Sequence, residues 1–465
     1  MGVFMSNQTQ ESYLKENLKR DLKNRHIQLI ALGSAIGVGL FLGSATGIKF
    51  TGPSLILSYI LVGLIVFVVL RALGEIAVVY PVSGSFSAWA DHIMGPLAGY
   101  ITGWTYWFMW TVTVMAEITA VGIYVTYWFP SVPQWIPALI SVTLITLLNL
   151  IAVKVYGETE FWFSIIKIVT ILFFIVVGAF IIFFGIGNHG IPTGFSNLYK
   201  YGGFFPNGLK GFLFSLIIVV YAYLGIEIVA VTAGEAQNPG TTLPSAIDKV
   251  IYRIILFYAL PMIVILSIYP WFKIGTFGSP FVESFSKLGI AAAASIINFV
   301  VITAALSSTN GGLFATGRML YSLSLQKNAP SAFSKLSNNK VPYIGIIFSS
   351  IVMLIGVILN YFIPKQVFTI ITSVATTGAL YVWLLILVMH MKFRKSLKES
   401  KLPKYHLPFY PILNILCIVF LVLVIIVMAF MPDGRIALYV AIPWFGILTA
   451  AYYIFGLDKK NKSNI

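Results

Sequence analysis

Charge is scarce in this chain. Asp, Glu, Lys and Arg make up 10% of its 465 residues, where an average soluble domain carries about 25%. Cysteine is scarcer still, and Cys417 alone excludes an intramolecular disulfide, a zinc cluster and an iron–sulfur site. The five histidines, His26, His92, His189, His390 and His406, are scattered, so no metal site, redox centre or other cofactor is implied. Acidic residues are outnumbered, 15 against 30 basic, which leaves a net charge of +15. In a soluble protein that balance points to nucleic acid. Here the basic residues fall in short clusters between apolar runs, a pattern that belongs to membrane orientation, and no nucleic-acid partner is implied. What abounds is apolar surface. The chain is 58% hydrophobic, with 36 Phe, 24 Tyr and 10 Trp, and its mean hydropathy is +0.92. It cannot cover a water-facing surface, which rules out a soluble enzyme and makes membrane lipid its surroundings.

A helix needs roughly 20 mostly apolar residues to cross the hydrocarbon. Twelve such segments are expected, near 27–48, 53–73, 97–128, 135–153, 161–187, 208–233, 248–271, 288–325, 343–363, 366–391, 409–431 and 436–456. A β-barrel is excluded, because barrels need short alternating strands. Residues 1–26 are polar, carry five basic side chains and lack the apolar core of a signal peptide. They read as a cytoplasmic tail, as do 457–465. With the amino terminus inside, alternation places 22 basic residues in inner segments and 7 in outer ones. That bias implies that both termini are cytoplasmic.

Two spans are interrupted. The first contains Gly33-Ser34-Ala35-Ile36-Gly37-Val38-Gly39, and the sixth contains Tyr221-Ala222-Tyr223-Leu224-Gly225-Ile226-Glu227. Helix breaks survive in a bilayer only where they are packed in protein or line a cavity. Gly33 and Gly37, taken alone, fit equally a close-packing helix–helix motif. Paired breaks in spans one and six point instead to a two-repeat secondary transporter. There, bare amides can hold a carboxylate and bare carbonyls an ammonium group, the two charged ends of an amino acid.

Ionisable residues inside spans are costly and by default functional. Lys167 in the fifth span is the only Lys or Arg expected within a span core. It either snorkels to the inner surface or is buried and exchanges protons during transport. Glu117, deep in the third span, reads as a pocket wall or as a buried packing residue, and Glu227 lies beside the sixth-span break. Polar Ser307-Ser308-Thr309-Asn310-Gly311-Gly312 is expected to interrupt the eighth span, facing either the same cavity or a neighbouring helix.

Several of these stretches together resemble the bacterial amino acid permeases of the amino acid–polyamine–organocation superfamily. They begin with Arg25 to Gly33, running on to Gly43-Ser44-Ala45, then Arg71-Ala72-Leu73-Gly74-Glu75 and Pro81 to Phe86. Gly157 to Phe163, Thr232 to Pro239 and Gly317-Arg318-Met319-Leu320-Tyr321 continue the series. Tyr106 to Trp110, Glu117 to Ala120 and Trp135 to Ile140 resemble the threonine/serine permeases. Gly99 to Tyr106 and Tyr269-Pro270-Trp271 lean toward proline permeases, and histidine permeases share much of the pattern.

The resemblance implies an all-α integral membrane protein of twelve transmembrane helices with the leucine-transporter type of 5+5 inverted repeat. Within a transmembrane domain at 27–456, repeat one covers about 27–187, repeat two about 208–391, and two extra helices about 409–456. By the same resemblance the substrate carboxylate meets amides in the Ile36-Gly37-Val38-Gly39 stretch. Its ammonium meets carbonyls near Ala35, Tyr221, Ala222 and Leu224, and Glu117 faces the substrate. Lys167 matches the lysine that replaces a sodium ion of sodium-coupled relatives, Ser308 matches the eighth-span side of that place, and Glu227 matches a gating carboxylate. The chain therefore reads as a secondary transporter, not an enzyme, that imports a neutral amino acid with a proton through the cytoplasmic membrane. An amino acid exchanger and a non-transporting amino acid sensor are the alternatives.

Overall fold

A computed structural model describes residues 36–80, 85–151, 153–186, 188–231, 239–274, 278–287, 291–397 and 402–458. Ala35, the amino-terminal tail, residues 459–465, the start of the first expected span, Pro81 to Gly84 and Thr232 to Asn238 lie outside them. Every regular element among the described residues is a helix, and they contain no β-strand. In chain order the helices are α1 (Val38–Phe41), α2 (Gly43–Thr51), α3 (Leu55–Val79), α4 (Ser85–Met94), α5 (Pro96–Val125) and α6 (Trp135–Ile151). There follow α7 (Val153–Phe184), α8 (Gly208–Ala222), α9 (Ile228–Val231), α10 (Pro239–Asp248), α11 (Val250–Arg253) and α12 (Leu260–Ile268). The last six are α13 (Pro280–Lys287), α14 (Ala291–Leu325), α15 (Tyr343–Phe362), α16 (Val367–Ser396), α17 (Ile412–Met428) and α18 (Pro432–Ile454).

Among the described residues, eight helical stretches are long and apolar enough to cross a membrane. Three shorter apolar helices, α6, α8 and α17, accompany them. The chain is thus an all-α, multi-pass membrane protein. The first of the eight, Val38–Val79, is divided by a turn at Leu42 and again at Gly52–Ser54. Gly52 has φ +64°, which a side chain at this position would oppose.

Helix α5 is the central post. Helix α14 runs along it and α16 and α15 pack on other sides, because glycines face it at each crossing. A β-carbon on Gly312 would sit 2.6 Å from Trp110, one on Gly356 2.7 Å from Met115, and one on Gly378 2.8 Å from Met109. Lipid tails give helices no hydrophobic reason to associate, so close backbone approach over small residues must supply van der Waals packing instead. Peripheral α7, α17 and α18 turn Phe173, Phe180, Leu416, Val419 and Tyr439 outward, the surface that hydrocarbon solvates.

Two expectations require correction. Helix α14 runs unbroken through Ser307–Gly312. The small polar residues there change what one face can bond to without releasing backbone groups, so they do not interrupt the helix. Lys167 is also not the only cation buried in a span. Arg253 is 1% exposed, within the apolar stretch Thr241–Ile268, and a π-helical turn, Ile254–Ala259, follows it. Such turns inside α-helices are frequent at functional sites.

Candidate substrate and coupling site

Both breaks meet beside α5. Gly37 is extended (φ −114°, ψ −163°) and α1 begins after it. The first amides of a helix have no partner within it. Here the Val38 amide donates to Oε2 of Glu117 at 3.3 Å. Gly37 admits that carboxylate, since a β-carbon would lie 2.6 Å from Glu117 Oε1 and 3.2 Å from Ser308 Oγ. Gly39 faces the other way, where a β-carbon would meet the Cα of Ala222 at 2.5 Å. Gly39 therefore brings the two broken segments into backbone contact.

Helix α8 ends at Ala222, residues 223–227 form a turn with Gly225 at φ +100°, and α9 resumes at Ile228. Some of the carbonyls freed by this turn are engaged. That of Tyr221 accepts from the Leu224 amide at 3.0 Å, and that of Ala222 from the Tyr258 hydroxyl at 3.3 Å. The Tyr221 hydroxyl is buried with no hydrogen-bond partner, and its ring meets Phe368 edge-on at 6.4 Å. Phe368 also lines a cavity of about 230 Å³ with Leu42, Thr46, Ile123, Gln134 and Lys365. Glu227, at the end of the turn, is wholly buried near the indoles of Trp110 and Trp383, and neither carboxylate oxygen has a hydrogen-bond partner.

Lys167 points into the protein and is fully buried, which removes the snorkelling alternative. Its Nζ donates to Ser307 Oγ at 2.8 Å and lies 3.9 Å from Glu160 Oε1. Ser307 in turn donates to that oxygen at 2.6 Å. Ser308, the neighbour expected beside Lys167, instead lies beside Glu117. Consecutive helical residues point about 100° apart, so one serine serves each carboxylate.

A paired break, a carboxylate held on a helix-start amide and a buried lysine make an amphoteric site inside a membrane protein. The amino acid permease family model matches residues 26–464. This chain belongs to that family. It is 54% identical over 449 residues to the uncharacterized amino acid permease YtnA of Bacillus subtilis, covering 96% of this chain and 97% of that one. It is 47% identical to the probable threonine/serine transporter YbxG of Bacillus subtilis, covering 97% and 98%. It is 43% identical to the D-serine/D-alanine/glycine transporter of Escherichia coli, covering 95% of each. Members are transporters rather than enzymes.

Three charged residues of the permease escaped the sequence reading as site candidates. Glu160 was legible, because it precedes Lys167 by seven residues, which puts both on one face of α7. Arg253 counts among the 22 basic residues of inner segments, at the start of the expected span 248–271. No carboxylate pairs with it among the described residues, and its Nε and Nη2 lack hydrogen-bond partners. Glu75 anchors a separate cluster. Its Oε2 lies 2.9 Å from His390 Nε2 and accepts from the Leu407 amide at 2.8 Å, while Arg394 Nε is 3.3 Å from Oε1. Nearby, Arg71 pairs with Asp248 and stacks 3.8 Å from the Tyr405 ring centroid.

Proposed function

We propose that this permease accumulates a small neutral amino acid, threonine or serine foremost, by proton-coupled symport with alternating access. Identity with relatives named for threonine/serine and for D-serine/D-alanine/glycine supports that substrate class. Neither name includes proline or histidine, so the proposal narrows to small side chains. Counting Val38–Val79 as two spans, the eight long stretches and three shorter helices support the twelve-span plan. Breaks in the first and sixth of these support inverted repeats of five, with α17 and α18 peripheral. The excess of basic residues in inner segments supports cytoplasmic termini in the cell membrane.

The observation that carries the reading is the Val38 amide holding a carboxylate inside the membrane. A substrate carboxylate would displace Glu117 from the amides of the Ile36–Gly39 stretch. The substrate ammonium would then meet the displaced Glu117 and the carbonyls of Ala35, Tyr221, Ala222 and Leu224. The substrate thus brings its own replacement for each bond it breaks, which keeps the exchange inexpensive in a low-dielectric site. Lys167 would act as the coupling cation and Glu227 as a gating carboxylate. Purified permease in liposomes, screened with radiolabelled amino acids under an acid-outside gradient, tests the whole reading. Accumulation of threonine or serine that an uncoupler collapses is expected. Flux only against preloaded amino acid would make the permease an exchanger, and binding without flux a sensor.

A further inference from the structure

Glu160 and Lys167 lie two turns apart on α7, a rise of about 10 Å, and their charged ends nevertheless approach to 3.9 Å. A helical side chain leans toward the helix amino terminus, so the long lysine reaches back over the preceding turns. Ser307 of α14 stands between them, with its oxygen 2.8 Å from Lys167 Nζ and 2.6 Å from Glu160 Oε1. Both hydrogen bonds run in one direction, lysine to serine and serine to glutamate. We propose that Glu160 is the proton acceptor of Lys167 and that Ser307 is the relay hydroxyl between them.

In the transfer, one N–H bond of the lysine ammonium breaks as its proton moves to Ser307 Oγ. The serine's own O–H proton moves to Glu160 Oε1. Ammonium and carboxylate become amine and carboxylic acid, and serine ends as it began, so no other reactant is needed. The pair is neutral as a whole before and after, so no uncompensated charge is stranded in the membrane. Glu160 is also the nearer of the two to the Val153 end of α7, the side that the basic residues mark as cytoplasmic. Its other oxygen, Oε2, is buried without a hydrogen-bond partner.

Other groups define the field in which this happens. Asn310 of α14 and Ser164 of α7 lie beside Glu160, and Asn310 Oδ1 is fixed by Asn149 Nδ2 of α6 at 2.8 Å. Lys167 also faces Glu117 of α5 and Arg253 of α11, and Arg253 in turn faces Tyr258 of the π-helical turn. Helix α12, which packs on α7, brings no titratable side chain.

The inference rests on the proton-coupled reading, and the test separates the two. Full-length permease in liposomes is given a radiolabelled mixture of threonine, serine, alanine and glycine. Accumulation under an acid-outside gradient is compared with counterflow, in which no net proton release is required. Glu160→Gln should lower accumulation about 100-fold, the scale of a lost proton-transfer group, lower counterflow far less, and flatten the pH profile of uptake. Ser307→Ala should act in the same direction with a smaller loss, and Ser307→Thr should restore function through its hydroxyl. If Glu160→Gln does not fold, the Ser307 pair decides alone. An accumulation-to-counterflow ratio and a pH profile like those of the wild type, in either Glu160→Gln or Ser307→Ala, overturn the relay while leaving symport intact. Wild-type accumulation that ignores the pH gradient overturns both.

Discussion

Glu75 and Glu160 are both buried carboxylates beside buried bases, and they are served very differently. Glu75 Oε2 is held by His390 and the Leu407 amide, Oε1 makes no hydrogen bond and has only the charge of Arg394 at 3.3 Å, and Asn414 Nδ2 approaches the far nitrogen of His390 at 3.1 Å. That cluster ties α3 to α16, α17 and the segment joining the last two. Glu160 has one close hydrogen bond, a lysine at 3.9 Å and a bare oxygen. Glu227 and Arg253 have still fewer partners. An unmet buried polar group costs about 1–3 kcal/mol, more when charged. Fold stability alone favours the first arrangement. The second makes sense where partners change during a cycle, and in this permease it lies on α7, on α11 and in the turn before α9.

The largest expected effect sharpens that contrast through stability. Glu75→Ala leaves His390 and Arg394 buried without their carboxylate, and breaking such a pair costs about 3–5 kcal/mol. Folded yield and melting temperature in detergent should fall sharply, whereas Glu160→Gln should melt closer to the wild type. Equal melting of the two variants would erase the distinction between a latch and a switch. Gly39→Val comes next. Its side chain would press on the Ala222 backbone, overpacking worth about 1–3 kcal/mol, and uptake should vanish with protein still in the membrane. Near-normal uptake by well-expressed Gly39→Val would mean that α1 and α8 separate during transport further than their contact here suggests. The smallest effect belongs to Glu117→Gln, which keeps an acceptor for the Val38 amide but loses the charge. A change in substrate affinity of about tenfold, or 1.4 kcal/mol, with altered ranking among competitors is expected. Unchanged affinity and ranking would reduce Glu117 to a packing residue.

Much of the membrane plan could be read from apolar run length, and the 223–227 break from a glycine and a carboxylate in mid-span. Buried polarity was harder to read. Two adjacent serines look equivalent in sequence, yet Ser307 faces Lys167 and Ser308 lies beside Glu117, because helical phase separates them. Ser307–Gly312 looked like an interruption because polar composition was taken for broken backbone. Arg253 counts with the inner basic residues because it lies at the very start of the expected span 248–271, and its burial beside the π-helical turn is a matter of packing that sequence does not carry. Glu75 and His390 are 315 positions apart, and no local pattern joins them. The spacing of Glu160 and Lys167 held the one signal that local reasoning could have used.

The central claim is that a proton held at Lys167 drives amino acid accumulation. Its most direct test is threonine and serine uptake into liposomes under an acid-outside gradient, with binding measured separately, for wild type and Lys167→Ala. Gradient-dependent accumulation by the wild type is expected, together with a Lys167→Ala variant that binds substrate but no longer concentrates it. A Lys167→Ala variant that still concentrates substrate in a proton-dependent way would contradict the account and move the coupling site to Glu117 or Glu227.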